Sequence, residues 1–172
     1  MSNKEKVDLL LSKLQLVSEL EIYQKTNDLK RFSKDFFNYS PILLNELKDC
    51  LAEIVVRPLS VEAIVFVAQI CNKYSTPLTL RGSGTGNYGQ CVPLNGGVVM
   101  VMSGLRKIRH FDSKSGEITV ESGCLLRDIN DELIEHGRQL RLLPSTWRSA
   151  SVGGFIAGGS GGIGSVRWGF LR

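Results

Sequence analysis

The sequence predicts an α+β fold: a small βαβ subdomain, then a mixed or antiparallel sheet subdomain, with a helical N-terminal arm ahead of both. Three observations predict it. Apolar residues of the first fifty positions recur at helical spacing, short β-branched runs alternate with a helical pattern from Glu53, and three closely spaced strand candidates follow Val98.

The arm, residues 1–50, places Val7, Leu10, Leu11 and Leu14 on one helical face, and Phe32, Phe36 and Phe37 continue an apolar surface. It is expected to pack on the domain that follows, with its aromatics as core anchors. Next, EIVVRP forms a strand stopped by Pro58, and Ser60 caps a helix carrying Val61, Ile64, Val65, Ala68 and Ile70. Pro77 then opens PLTLR, a second strand one helix length later, which predicts a right-handed crossover between parallel strands.

Strand candidates at Val98–Met102, Ile108–Asp112 and Glu117–Glu121 are separated by Ser103-Gly104 and Ser115-Gly116, and such short connections predict antiparallel pairing. LLRDINDELIEHG is an amphipathic helix with Gly137 as its C-cap. The chain then extends through Leu142 and Leu143 to Pro144. Its last residues, VRWGFLR, follow a glycine-rich turn with no closing strand or helix, so the sequence reads as a truncated domain.

Composition excludes several classes. With 172 residues, 42% apolar and 22% charged, the chain is long enough for a buried core. A net charge of +4 with scattered basic residues excludes a nucleic-acid surface. Apolar runs such as VVMVM are far shorter than the roughly 20 residues that cross a bilayer, so no transmembrane segment is expected. The N-terminus has charges within its apolar stretch, unlike a signal peptide; a cytoplasmic location, with peripheral association at the inner membrane as its variant, is the expectation. Cys50, Cys71, Cys91 and Cys124 lack the spacing of a zinc or iron–sulfur site, and read as reduced structural thiols. His110 and His136 read as surface or satisfied histidines.

The 18 glycines exceed the usual share of about 7%, and they concentrate in two segments. RGSGTGNYG, Arg81–Gly89, leaves the second strand; a glycine-dense turn there lets backbone N–H groups converge on an anion, usually phosphate. It lacks the GK[ST] of a P-loop, and its alternating Gly82, Gly84 and Gly86 do not follow GxGxxG. Ser83, Thr85 and Asn87 add side-chain donors. In the second segment, SVGGFIAGGSGGIGS, Gly153 and Gly154 precede a short helical turn whose N-terminus is expected to face an anion. Two such segments predict one extended phosphate-bearing cofactor held at two places.

The ordered set PLTLRGSGTG, VVMVMSGLRKIRHFD, ITVESG, a helix ending in HG, LPS, SVGGFIA and RWG resembles the flavin-binding domain of the vanillyl-alcohol oxidase and p-cresol methylhydroxylase superfamily, with the nearest likeness to glycolate-oxidase and D-lactate-dehydrogenase-like flavoproteins. The resemblance runs from about Glu53 to Arg172. It implies a PCMH-type FAD-binding fold, with residues 51–172 forming the N-terminal part of that domain and the substrate domain lying elsewhere. It also implies that Arg81, Gly82, Ser83, Gly84, Thr85, Gly86 and Asn87 wrap the FAD pyrophosphate, and that Gly123 opens the helix beside the cofactor. Pro144, Ser145, Ser151, Val152, Gly153 and Gly154 match the second cofactor segment. Gly162, Ser165 and Arg167–Gly169 match the closing motif, with Trp168 where tyrosine is usual.

Departures sharpen the reading. The first loop has no histidine for covalent attachment, the second has neither histidine nor cysteine, and Cys91 just beyond the first loop matches no attachment motif; the resemblance therefore implies noncovalent FAD. The asparagine-bearing stretch of the lactate and glycolate members is here AGGSGG. The implied activity of the complete protein is oxidation of a small alcohol, a 2-hydroxy acid of the lactate or glycolate type, with electrons passed to an acceptor such as an iron–sulfur partner subunit. Catalytic residues are not assignable from this stretch. Two alternatives stand beside it: a noncatalytic flavin- or nucleotide-binding module, and an FAD-dependent reductase that uses a nicotinamide.

Overall fold

The computed structural model describes residues 3–170. They divide into two compact units, one up to Gly104 and one from Leu105 onward. The first fifty residues lie inside the first unit and do not stand apart from it.

The first unit runs α1 (Asn3–Leu14), β1 (Leu20–Tyr23), α2 (Thr26–Phe32), α3 (Pro41–Leu47), β2 (Ile54–Pro58), α4 (Val61–Lys73), β3 (Leu78–Arg81) and β4 (Val98–Val101). Its sheet has the order β1-β2-β4-β3. Two features differ from the sequence expectation. The arm is mainly helical but contains β1, which pairs antiparallel with β2 from Leu20 opposite Pro58 to Tyr23 opposite Val55. And β4, expected to pair antiparallel, lies between β2 and β3 and runs parallel to both.

Local chemistry explains the elements. Ser60 is extended and its side chain accepts from the Ala63 N–H at 3.2 Å, so the cap of α4 forms as its sequence requires. The strand β4 is buried along its whole length, the mark of a central parallel strand covered on both faces. Side chains alternate accordingly: Ile54, Val56, Val98 and Met100 pack with Leu10 and Leu14 of α1 and with Val67 and Cys71 of α4. Val55, Val99 and Val101 point the other way, toward Leu29 and Phe32 of α2.

The second unit contains the antiparallel pair β5 (Ile108–Phe111) and β6 (Ile118–Val120), then α5 (Leu126–Glu135), α6 (Val152–Ala157) and α7 (Ser165–Trp168). Here the antiparallel expectation matches the observed pairing, Ile108 opposite Val120. Cys124, Ile129 and Leu133 bury the apolar face of α5 against Ile108, Phe111, Ile118 and Val120. Leu126, Leu142, Ala150 and Phe155 form a second cluster, on which Trp147 and Val152 pack. Gly137, with φ +68°, ends α5 in the left-handed conformation expected of its position.

Candidate functional site

The loop Gly82–Asn87 leaves the carboxyl end of β3 within the first unit. Its glycines and Ser83 and Thr85 are partly buried, and Asn87 is exposed. Among the described residues, the backbone N–H groups of Gly82, Ser83, Gly84, Thr85, Gly86 and Asn87 have no acceptor. The donor run ends at Tyr88 and Gly89, whose N–H groups are taken by Gln90 Oε1 at 3.2 Å and Asp35 Oδ2 at 3.0 Å. Six successive backbone donors without acceptors in a partly buried loop form a cradle suited to an acceptor-rich ligand. Gly84, at φ +69°, supplies the handedness change on which backbone anion nests are built.

Beneath the loop lies Arg81, only 8% exposed. Its Nη1 donates to the Lys34 carbonyl and to Cys91 Sγ, and its guanidinium sits over the Phe32 ring. It makes no ion pair within the described residues. A Cβ added to Gly84 would land on that guanidinium, so loop and arginine are in direct contact. Buried positive charge under unpaired donors favours an anion. Arg81 thus supports the loop from below, while its hydrogen bonds are spent inside the protein. Burial pushes the Cys91 thiol up from its ordinary pKa, while the charge of Arg81 pulls it back in part, and the thiol stays neutral at pH 7.

In the second unit the sequence-predicted residues gather into two groups. Ser151, Val152, Gly153 and Gly154 meet the Ser122–Leu125 segment: Val152 donates to the Cys124 carbonyl at 2.8 Å and Gly153 to the Ser122 carbonyl at 2.9 Å. A Cβ at Gly153 would approach the Ser122 oxygen to 2.8 Å, so the close passage requires glycine there. Gly123 itself is buried and donates to the Leu105 carbonyl. These bonds correct the expectation that the start of α6 offers its amides freely to an anion. Two of them are consumed in joining chain segments, and only Gly154, which is exposed, keeps an N–H without a partner among the described residues. Ser151 differs. The residue is 2% exposed, and its Oγ has no hydrogen-bond partner among the described residues.

Pro144, Ser145, Gly162 and Ser165 form the second group. Leu143 and Ile163 exchange hydrogen bonds of 3.1 and 2.9 Å beside Pro144, and Gly162 donates to Ser165 Oγ at 2.7 Å. Pro144 is buried and Ser145 exposed. Arg141 and Arg167 each lie over the Trp168 ring, at 4.5 and 4.8 Å from its centroid.

The sequence reading missed Asp35, which lies in the arm and touches the loop. Its only signal was an acid inside an aromatic-rich stretch, FSKDFF. The histidines read as bland meet at an open groove of about 370 Å³, lined by Ile108, His110, Phe111, Glu132 and His136 among others. No predicted cofactor residue lines it. Among the described residues no group of three or more metal-ligating side chains assembles, and no helix is long and apolar enough to cross a membrane.

In the first unit the loop presents unpaired backbone donors over a buried cation; in the second, Ser151 holds a buried hydroxyl without a partner among the described residues. The sequence model of the FAD binding domain matches residues 52–172, and the chain belongs to that family; FAD is its cofactor. It is 31% identical over 120 residues to a D-lactate dehydrogenase of Anaerostipes hadrus, covering 70% of this chain and 25% of that protein. It is 27% identical over 122 residues to the glycolate oxidase subunit GlcD of Bacillus subtilis, covering 71% of this chain and 26% of the relative. The chain therefore spans about a quarter of the length of these relatives. In fold it matches an alkyldihydroxyacetonephosphate synthase structure with TM-score 0.75 at 20% identity, over 99% of this chain and 34% of that one.

Proposed function

We propose that residues 51–172 are the N-terminal part of a flavin domain, and that the complete protein is an FAD-linked dehydrogenase acting on a small 2-hydroxy acid. The observation that carries the reading is the run of six unpaired N–H donors from Gly82 to Asn87 above buried Arg81. The relatives named D-lactate dehydrogenase and glycolate oxidase subunit support the substrate class.

In this reading the Gly82–Asn87 amides, with the side chains of Ser83, Thr85 and Asn87, hold the pyrophosphate. Arg81 adds positive charge and fixes the loop, and Ser151 Oγ and the Gly154 N–H contribute hydrogen bonds from the second segment. Gly123, Val152 and Gly153 keep backbone close enough for a flat ligand to approach, and Pro144, Ser145, Gly162 and Ser165 shape the far end. Bound FAD supplies hydride acceptance from the donor carbon. Attachment is noncovalent: Cys91, the thiol beside the loop, is held neutral by burial and engaged by Arg81. An iron–sulfur subunit as electron acceptor, and a cytoplasmic location with peripheral association at the inner membrane as its variant, belong to the same proposal.

The test is the absorption spectrum of the full gene product. A flavin band, bleached by D-lactate or glycolate under anaerobic stopped flow, is the expected result. Bleaching by NADPH in their place establishes the reductase reading, a flavin that no donor reduces establishes a binding module, and a folded protein that takes up no FAD overturns the proposal.

A further inference from the structure

The loop that carries the unpaired donors is fixed from outside the matched flavin domain. Four contacts from Lys34 to Leu47 reach it. Asp35, 9% exposed, accepts the Gly89 N–H with Oδ2 at 3.0 Å and the Phe37 N–H with Oδ1 at 2.8 Å. The Phe36 N–H donates to the Gly86 carbonyl at 2.8 Å. The Lys34 carbonyl accepts from Arg81, and Leu47 of α3 lies 2.5 Å from where a Cβ on Gly89 would stand. All of these residues precede residue 52, where the family match begins.

We infer that Asp35 is a positioning residue for the cofactor loop, with the arm segment Lys34–Phe37 serving as its brace; the inference rests on the flavin reading above. The physical reason is entropic. A stretch with glycine at 82, 84, 86 and 89 has many conformations, and a ligand that must order it loses affinity by that amount. A carboxylate is suited to the task because its two oxygens accept from two segments at once, tying the loop end at Gly89 to the turn at Phe37. Its negative charge near an anion site is offset by Arg81, which is anchored on the neighbouring Lys34 carbonyl.

An amide has one acceptor oxygen, so Asp35→Asn can satisfy one segment and not both. The experiment compares D35N with the unsubstituted full gene product by hydrogen exchange and by FAD titration, followed through flavin fluorescence. The expected result is faster exchange at Gly89 and Phe37, whose N–H groups Asp35 accepts, unchanged exchange in β4 (Val98–Val101), and an FAD Kd raised about tenfold, as for loss of one charge-assisted hydrogen bond. Unchanged loop exchange overturns the inference, and so does faster loop exchange with an unchanged Kd. If D35N also loosens β4, then D35E, which keeps both oxygens and the charge, decides instead: slow exchange at Gly89 and Phe37 with FAD affinity close to that of the unsubstituted protein supports the brace, and exchange as fast as in D35N overturns it. Should the unsubstituted protein take no FAD, the flavin reading fails by itself, and loop exchange still decides whether Asp35 is the brace.

Discussion

Two glycines two residues apart in the Gly82–Asn87 loop are predicted to differ sharply in their response to the same added methyl group. At Gly84 the backbone is left-handed, φ +69°, a conformation that costs a non-glycine residue about 1–2 kcal/mol. Its Cβ would also land on the Arg81 guanidinium, which is 8% exposed and anchored on the Lys34 carbonyl and Cys91 Sγ. Moving that group forfeits a charge-assisted hydrogen bond worth about 1.5–3 kcal/mol. Gly84→Ala should therefore lose about 2.5–5 kcal/mol, or some 5–20 °C in melting temperature for a domain of this size. At Gly86 no positive φ is involved, and the Cβ meets Gln90 Oε1, the end of an exposed side chain that can move at the cost of its bond from the Tyr88 N–H, while Asp35 Oδ2 stands at 3.3 Å. Gly86→Ala should cost under about 1 kcal/mol in the ligand-free protein, as for an ordinary surface change. On the proposed reading its effect should fall on FAD affinity, because the methyl group stands among the donors proposed to hold the pyrophosphate. Thermal melts without cofactor, paired with FAD titrations, separate the two. A Gly86→Ala protein less stable than Gly84→Ala would refute the placement of Arg81 beneath the loop.

Ser151→Ala should raise the melting temperature of the ligand-free protein, since removing a buried hydroxyl with no partner recovers about 1–3 kcal/mol, and should weaken FAD binding; a loss of both stability and affinity counts against an orphaned hydroxyl. Arg81→Met should destabilise by about 2–4 kcal/mol and make Cys91 still less reactive to thiol reagents near pH 8, because the charge that lowers the pKa of that thiol is gone. Burial raises the Cys71 thiol from 9.0 to about 11. The folded state thus keeps its proton while the unfolded chain loses it, so this contribution is full below about pH 9 and is lost as pH rises toward 11, by at most about 3 kcal/mol. Urea midpoints at pH 8 and pH 10.5 should show the loss, and Cys71→Ala should flatten it.

How far the sequence could be read follows from the range of each interaction. The Ser60 cap, the left-handed Gly137 and the strand after Pro77 depend on neighbours within a few residues, and each is visible in the string. Strand order does not have that property. β4 is recognisable from VVMV, but its insertion between β2 and β3 is decided by burial on both faces, which a short connection to the next strand disguised as a hairpin. β1 escaped because LEIY is four residues within a helical arm, and only its pairing with β2 makes it a strand. The glycine density of both loops was legible, whereas the consumption of the Val152 and Gly153 amides by Cys124 and Ser122 was not, since partners about thirty residues away carry no local mark.

The number of donors also bears on what the first loop can hold. A carboxylate offers about four lone-pair positions, and fewer when bound from one side. Six backbone N–H groups, with Ser83, Thr85 and Asn87 beside them, exceed what one such group can satisfy. A diphosphate presents more oxygens along its length and carries the charge that a buried guanidinium without an ion pair among the described residues favours. Inorganic pyrophosphate should then compete with FAD at this loop more strongly than acetate does at equal ionic strength. Equal competition by both would mean that the loop responds to charge alone and that its donor count has no part in the choice of ligand.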